Sequence, residues 1–200
     1  VRPVQNASVK VVTAGKADEA KAIATVALAF ASDPMMRWSF KDPAHYMNIA
    51  EDFIRAFGGN AFAHGTADVA GDFGAVALWL PPNVEPDVGA MMEIIEKLER
   101  TPEEEKEGEG LFQQMDKFHP KDPHWYLPLI GADPAQRGKG YGASLMAHAM
   151  KRCDESGLPA YLESSNPANV PFYERYGFKV MGIIQQGSSP RLTPMLRPAR

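Results

Sequence analysis

Apolar and polar residues alternate along Ser8 to Ala14, as on a strand with one buried face. Behind it Ile23, Val26, Ala27 and Phe30 recur at helical spacing, with Asp18 and Glu19 near the start where a helix dipole favours acids. A second helix is marked by an Asp42 cap, Pro43 in the first turn, Tyr46, Ile49, Phe53 and Phe57 along one face, and a glycine stop. The runs "AFAHGTADV" and "FGAVALWLPP" flank the turn-rich "AGDFG" and predict an antiparallel hairpin. The opening part thus reads β, α, α, β, β.

Between Pro86 and Pro123 the pattern turns helical. "MMEIIEKLER" is one helix, Thr101 and Glu104 offer a capping box, and Leu111, Phe112, Met115 and Phe118 mark a further short helix. The acidic run "EEEKEGEG" inside it reads as a solvated face, while the apolar residues of this insertion are free to wall a pocket. The later part continues with "HWYLPLIGADP" as a strand, "GKGYGASLMAHAMKRCDESG" as a helix ended by Gly157, and "LPAYLESS" as a strand. A short helix in "NPANVPFYERYGF" and a strand in "KVMGII" follow. "RLTPMLRP" adds one last edge strand, its prolines arguing against an interior place.

Composition narrows the setting. Two hundred residues, 44% of them hydrophobic, fill one domain with a sizeable core, and no shift in composition marks a second. A net charge of -4 with scattered lysines and arginines provides no basic stripe, which argues against nucleic acid. Cys153 is the only cysteine, no apolar run approaches the roughly 20 residues of a membrane span, and "VRPVQNASVK" lacks the apolar centre of a signal peptide. A reducing, cytoplasmic setting is expected. The five histidines have no metal-ligand spacing and read as surface or satisfied residues, so no metal is expected.

The run "QRGKGYG" carries the chemistry. Gly138, Gly140 and Gly142 alternate ahead of a helix, so consecutive backbone N–H groups and the helix dipole can converge on a phosphate, with Arg137 and Lys139 adding charge suited to a pyrophosphate. A P-loop would need glycine at Asp133 and a hydroxyl residue at Gly140. A dinucleotide fingerprint is met by Gly138, Gly140 and Ala143, although "GADPAQR" separates strand from glycines where that fingerprint turns tightly. A tight turn with close packing is the third reading of the same glycines.

The sequence resembles the GNAT superfamily of acetyl-CoA-dependent N-acetyltransferases. Arg137, Gly140 and Gly142 meet its Arg/Gln-x-x-Gly-x-Gly/Ala signature between a strand and a helix, and "NVPFYERYGF" at Asn169 to Phe178 is similar to its downstream segment. "DPMMRW", "PKDPHWYLPLIGADPAQRGKGYG" and "LPAYLESSNPANVPFYERYGF" are similar to the bacterial group that includes puromycin N-acetyltransferase. The resemblance implies an α/β fold: a twisted mixed sheet with helices on both faces, fourth and fifth strands splayed apart, and acetyl-CoA in the gap. Leu129, Ile130 and Gly131 would pair with the pantetheine, and Arg137 to Ala143, Tyr141 among them, would hold the pyrophosphate. Phe172 and Asn169 would also border the cofactor.

Direct transfer to an amine requires a neutral nucleophile, a polarised thioester and a proton for the departing thiolate. A backbone N–H near Leu129 or Ile130 would stabilise the oxyanion, a contact worth about 3–4 kcal/mol. Tyr173 falls on the family's general-acid tyrosine, and a phenol of pKa about 10 stays protonated at neutral pH; without the motif it reads as a core aromatic. Asn169 either orients pantetheine or, like Asn166, caps a helix. Glu163 is the expected base, an ion-paired glutamate being the alternative, with His124 and Glu51 as further candidates. Cys153 has no basic partner and is not expected to be a nucleophile. Trp38, Phe40, Trp79, Trp125 and Tyr126 sit at element ends where they could cradle a small amine. Acetylation of a peptide amine and silent acyl-CoA binding stay open, as do monomer and homodimer.

Overall fold

The computed structural model describes residues 9–200; the beginning of the first expected strand and most of the segment read for a leader lie outside the described residues. Ala67–Ala70 (β2) and Ala75–Leu80 (β3) form the hairpin, with Val11–Thr13 (β1) antiparallel to β2. Trp125–Ala132 (β4) runs antiparallel to β3, and Ala160–Ser164 (β5) lies parallel to β4. Lys179–Val180 (β6) and Thr193–Arg197 (β7) complete a seven-stranded sheet in the order β1-β2-β3-β4-β5-β7-β6.

Helices cover both faces. Glu19–Phe30 (α1), Pro34–Ser39 (α2), Pro43–Gly58 (α3) and Asn60–Ala63 (α4) precede the hairpin. Val88–Glu96 (α5) and Pro102–Phe118 (α6) form the insertion, and Tyr141–Ser156 (α7) and Val170–Glu174 (α8) follow β4 and β5. Leu145, Met146, Ala149 and Cys153 of α7 pack on the face that carries Trp79, Trp125 and Leu162. Ile23 and Val26 of α1 and Ile54 of α3 cover the other face against Leu78, Leu80, Tyr126 and Tyr161.

Four sequence expectations change. The glycine pair ends α3 as expected, with Gly58 the last helical residue and Gly59 the C-cap, but Ala61 and Phe62, expected in a strand, form α4. A Cβ on Gly58 would lie 2.8 Å from Leu78 Cδ1, so the missing side chain is what lets α3 rest on β3. Gly58→Val is expected to cost about 1–3 kcal/mol by overpacking, read as a lower denaturant midpoint at unchanged slope. The insertion's second half is one 17-residue helix closed by the expected Thr101–Glu104 capping box, rather than a short helix further on. The strand expected in "KVMGII" contracts to two residues plus an isolated bridge between Ile184 and Leu192. Finally β7 is not an edge strand: it lies between β5 and β6 and matches all five residues of β5 in register.

Candidate active site

The site begins where β4 and β5 separate. They pair only at Trp125 with Ala160 and Tyr126 with Tyr161, so β4 from Leu127 onward has a free edge facing β5. Against β3, β4 carries one extra residue between Tyr126 and Leu129, at Leu127–Pro128. Proline has no N–H for the ladder, which suits it to such a bulge. The bulge also shifts side-chain alternation, so that Tyr126 and Leu129 share one face while Trp125, Leu127 and Ile130 share the other.

Beyond β4 the chain reaches the glycine loop. Gly138 and Gly140 both hold φ at +79°, a left-handed conformation that favours glycine, and a Cβ at Gly138 would meet nothing within 4 Å. Gly140 caps α7, whose first N–H groups, those of Tyr141, Gly142 and Ala143, have no intrahelical acceptor. Arg137 and Lys139 flank this open donor set. Tyr141 turns its ring away, packing over Gly71 and Gly74 in the β2–β3 turn, so only its backbone serves the loop. Phe172 lies against Gly142, where a Cβ would be 3.6 Å from its ring, and Tyr176 donates to the Ala143 carbonyl at 3.0 Å; together they dock α8 on the start of α7.

The free edge of β4 opens into a cavity of about 500 Å³, within the range typical of small-molecule sites. Leu129, Ile130, Gly131, Arg137, Asn169 and Tyr173 form its strand-side wall. Trp38, Phe40, Phe53 and Phe57 from α2 and α3 and Met91, Leu111 and Phe112 from the insertion wall the remainder. Asp33 caps α2 by accepting from Met35 and Met36 N–H at 2.9 and 3.1 Å, and its other oxygen accepts from Ser165 Oγ at 2.5 Å, which ties α2 to the end of β5. Asn166, not Asn169, takes the capping role by accepting from Ala168 N–H, leaving the Asn169 amide in the cavity wall. The Tyr173 side chain is buried, and its hydroxyl has no hydrogen-bond partner among the described residues. Burial first, and the nearby Asp33 carboxylate second, push this phenol well above its ordinary range.

Glu163 lies in the same wall with its side chain 5% exposed. Tyr126 Oη donates to its Oε2 at 2.8 Å, and His119 Nδ1 stands 3.9 Å from its Oε1. Burial, and then the charge of Glu163, holds the Tyr126 phenol far above its ordinary value, so it remains a donor.

The expected residues therefore divide. Tyr173, Glu163, Asn169, Trp38, Phe40 and the β4 edge meet at one cavity. Trp79 and Trp125 do not: both belong to the core under α7, Trp79 fully buried and Trp125 donating from Nε1 to Ser156 Oγ at 2.9 Å. Trp125 lies where β4 and β5 still pair and Trp79 lies on β3, so neither reaches the gap where the strands separate. Tyr126 stands behind Glu163 rather than in the cavity lining. Glu51 is exposed on α3 outside the cavity, and His124 reaches Glu163 only through His119. Cys153 is buried and its thiol is pushed up to about 11, chiefly by desolvation, which leaves it unreactive. Asp33, Phe53, Phe57 and His119 were not anticipated; the Asp33-Pro34 pair, an N-cap followed by a first-turn proline, was the available signal for α2.

The profile of the acetyltransferase (GNAT) family matches residues 107–178, which run from within α6 through α8 and so include the glycine loop, β5 and Tyr173. An uncharacterized N-acetyltransferase of Schizosaccharomyces pombe is 30% identical over 179 residues, 80% of this chain and 70% of that protein. The chain belongs to the GNAT family. Among solved structures, one described as histone acetyltransferase HPA2 and related acetyltransferase from Corynebacterium glutamicum is 27% identical with a TM-score of 0.69, covering 96% of this chain and 97% of that one. Arylalkylamine N-acetyltransferase 2 from Aedes aegypti shares the fold at 14% identity and a TM-score of 0.61, over 96% and 99% of the two chains. The protein is thus a GNAT N-acetyltransferase, of a family that generally takes acetyl-CoA as acyl donor. No helix among the described residues is long and apolar enough to cross a membrane.

Proposed function

We propose that this GNAT enzyme transfers an acetyl group from acetyl-CoA directly to the primary amine of a small molecule with an apolar or aromatic body. The observation that carries the reading is the meeting of the β4 edge, Tyr173 and Glu163 in one cavity walled by Phe40, Phe53, Phe57 and Phe112. A cavity closed over by α5 and α6 suits a compact amine better than a polypeptide segment, and the resemblance to the group containing puromycin N-acetyltransferase favours the same class. The buried lone thiol fits a reducing, cytoplasmic setting.

The residues present fit coenzyme A. The left-handed glycines at 138 and 140, the open N–H groups of the α7 start, Arg137 and Lys139 would hold its pyrophosphate. The free edge at Leu129, Ile130 and Gly131 would pair with the pantetheine amides, with the Asn169 amide beside it. When bound, acetyl-CoA supplies an acetyl group activated as a thioester. Glu163, hydrogen-bonded to Tyr126, accepts the proton of the acceptor's ammonium. Tyr173 keeps its proton available for a leaving thiolate, because burial disfavours the phenolate. The apolar walls orient the acceptor and exclude water.

Calorimetric titration tests the reading. Saturable acetyl-CoA binding is expected with none for NADH, and Arg137→Ala should weaken it by about tenfold, the loss of one charge-assisted contact. Thiol release is then read across small aromatic amines, polyamines and peptides. Absent acetyl-CoA binding by the folded protein, or turnover of peptides alone, would overturn the proposal.

A further inference from the structure

Glu163 must dispose of each proton it receives, and its surroundings restrict where that proton can go. Two of its neighbours are phenols, Tyr126 and Tyr161, both held protonated by burial and by the Glu163 charge itself. Neither can take a proton from a carboxylic acid near neutral pH. The remaining neighbour is His119, whose ring stands against Tyr126, Tyr161 and His124 with centroids 4.9, 5.0 and 4.8 Å away. Its side chain is 21% exposed, against 5% for Glu163, so it alone of this group bridges carboxylate and solvent.

Hydrogen bonding fixes the order of donors. His124 Nδ1 lies 2.8 Å from the Asp122 carbonyl, which can only accept, so this nitrogen carries the hydrogen. His124 Nε2 is then an acceptor, and the His119 Nε2 found 3.1 Å away donates to it. In the neutral pair His119 Nδ1 is left with a bare lone pair, 3.9 Å from Glu163 Oε1. Burial lowers His124 below the ordinary imidazole range, so it acts as the holding partner rather than the final proton store. His119 is also the residue that caps the C-terminus of α6, where the helix dipole favours a cation. The charged and titratable groups around the pair are Glu163 and the two phenols from the sheet, Glu85 before α5, and Asp116 on α6 itself.

We propose that His119 is a positioning and relay residue of this enzyme: it receives the substrate ammonium's proton from Glu163 and passes it to solvent, while His124 holds its tautomer. The proton leaves the amine nitrogen for Glu163 Oε1, then crosses the 3.9 Å to His119 Nδ1 through one bridging water, giving an imidazolium and restoring the carboxylate. Loss of that proton to water resets the pair, with no change in oxidation state and no further reactant. This inference rests on the reading of Glu163 as the base.

Two measurements test it. On the wild-type protein, nitrogen NMR of the imidazole rings at a pH where both are neutral should find His124 as the Nδ1–H tautomer and His119 as the Nε2–H tautomer. The reverse assignment of either ring would overturn the relay without any variant having to fold. In kinetics with the best amine from the panel, His119→Gln should lower kcat by about tenfold at pH 7, less than the roughly 10²–10⁴-fold of a group that touches the substrate because His119 acts through Glu163, with the amine KM unchanged. The deficit should shrink as pH rises and hydroxide takes over. Wild-type kcat for His119→Gln from pH 6 to 9, beside an impaired Glu163→Gln, would remove the relay and leave the base. An unimpaired Glu163→Gln would remove the base reading itself.

Discussion

Replacing Tyr173 by Phe is expected to lower kcat by about 10²–10³-fold while leaving acetyl-CoA affinity within about twofold. The substitution removes one oxygen from a buried ring that packs between Phe172 and Phe178, so the core it belongs to is retained. That hydroxyl has no partner among the described residues, so its removal unpairs nothing else. Its sign with pH follows from the cause of the shift: burial and Asp33 disfavour phenolate, the pKa rises, and the proton-donating form persists into alkaline solution. The wild-type rate should therefore show no alkaline decline from this group below about pH 10, the ordinary phenol value. Isothermal titration together with initial rates of thiol release separates the two effects. Equal losses of affinity and turnover would instead make Tyr173 a structural residue.

Glu163→Gln is expected to lower kcat/KM by about 10²-fold near neutral pH. Glutamine keeps the length and can still accept from Tyr126 Oη, so the separation of β4 and β5 should not alter. What it cannot do is take a proton. The variant should retain only the dependence set by the amine's own deprotonation. Rate profiles from pH 5 to 9 check this, and an acid limb identical in both proteins would exclude Glu163 as the base.

Periodicity made the helices at α1, α3 and α7 legible, because each buries one stripe against the sheet, and the glycine loop's backbone was legible because Gly138 and Gly140 can hold a left-handed φ ahead of a helix. The failures have particular causes. Gly58 marks the end of α3 as its pattern suggests, but it also lets the helix approach Leu78, a matter of distance that no local pattern encodes. Trp79 and Trp125 were assigned to the site from their place at strand ends, but which face they meet depends on the sheet's two coverings. The bulge at Leu127–Pro128 was not read from the sequence, because only pairing with β3 reveals the extra residue. His119 was invisible as a neighbour of Glu163 because α6 and β5 are far apart in sequence and meet only in the folded chain.

The placement of β7 has a consequence for how the molecule comes to exist. Strands β1 to β4 are antiparallel neighbours that can pair as they emerge during synthesis, whereas β5 touches β4 at just two positions and owes its remaining partners to the last strand made. The wall that carries Glu163 is thus seated late, by a long-range contact of the kind that slows folding. A nascent chain can hold a finished glycine loop while the cavity beside it is still open on one side, so the chamber is complete only when β7 slides in beside β5.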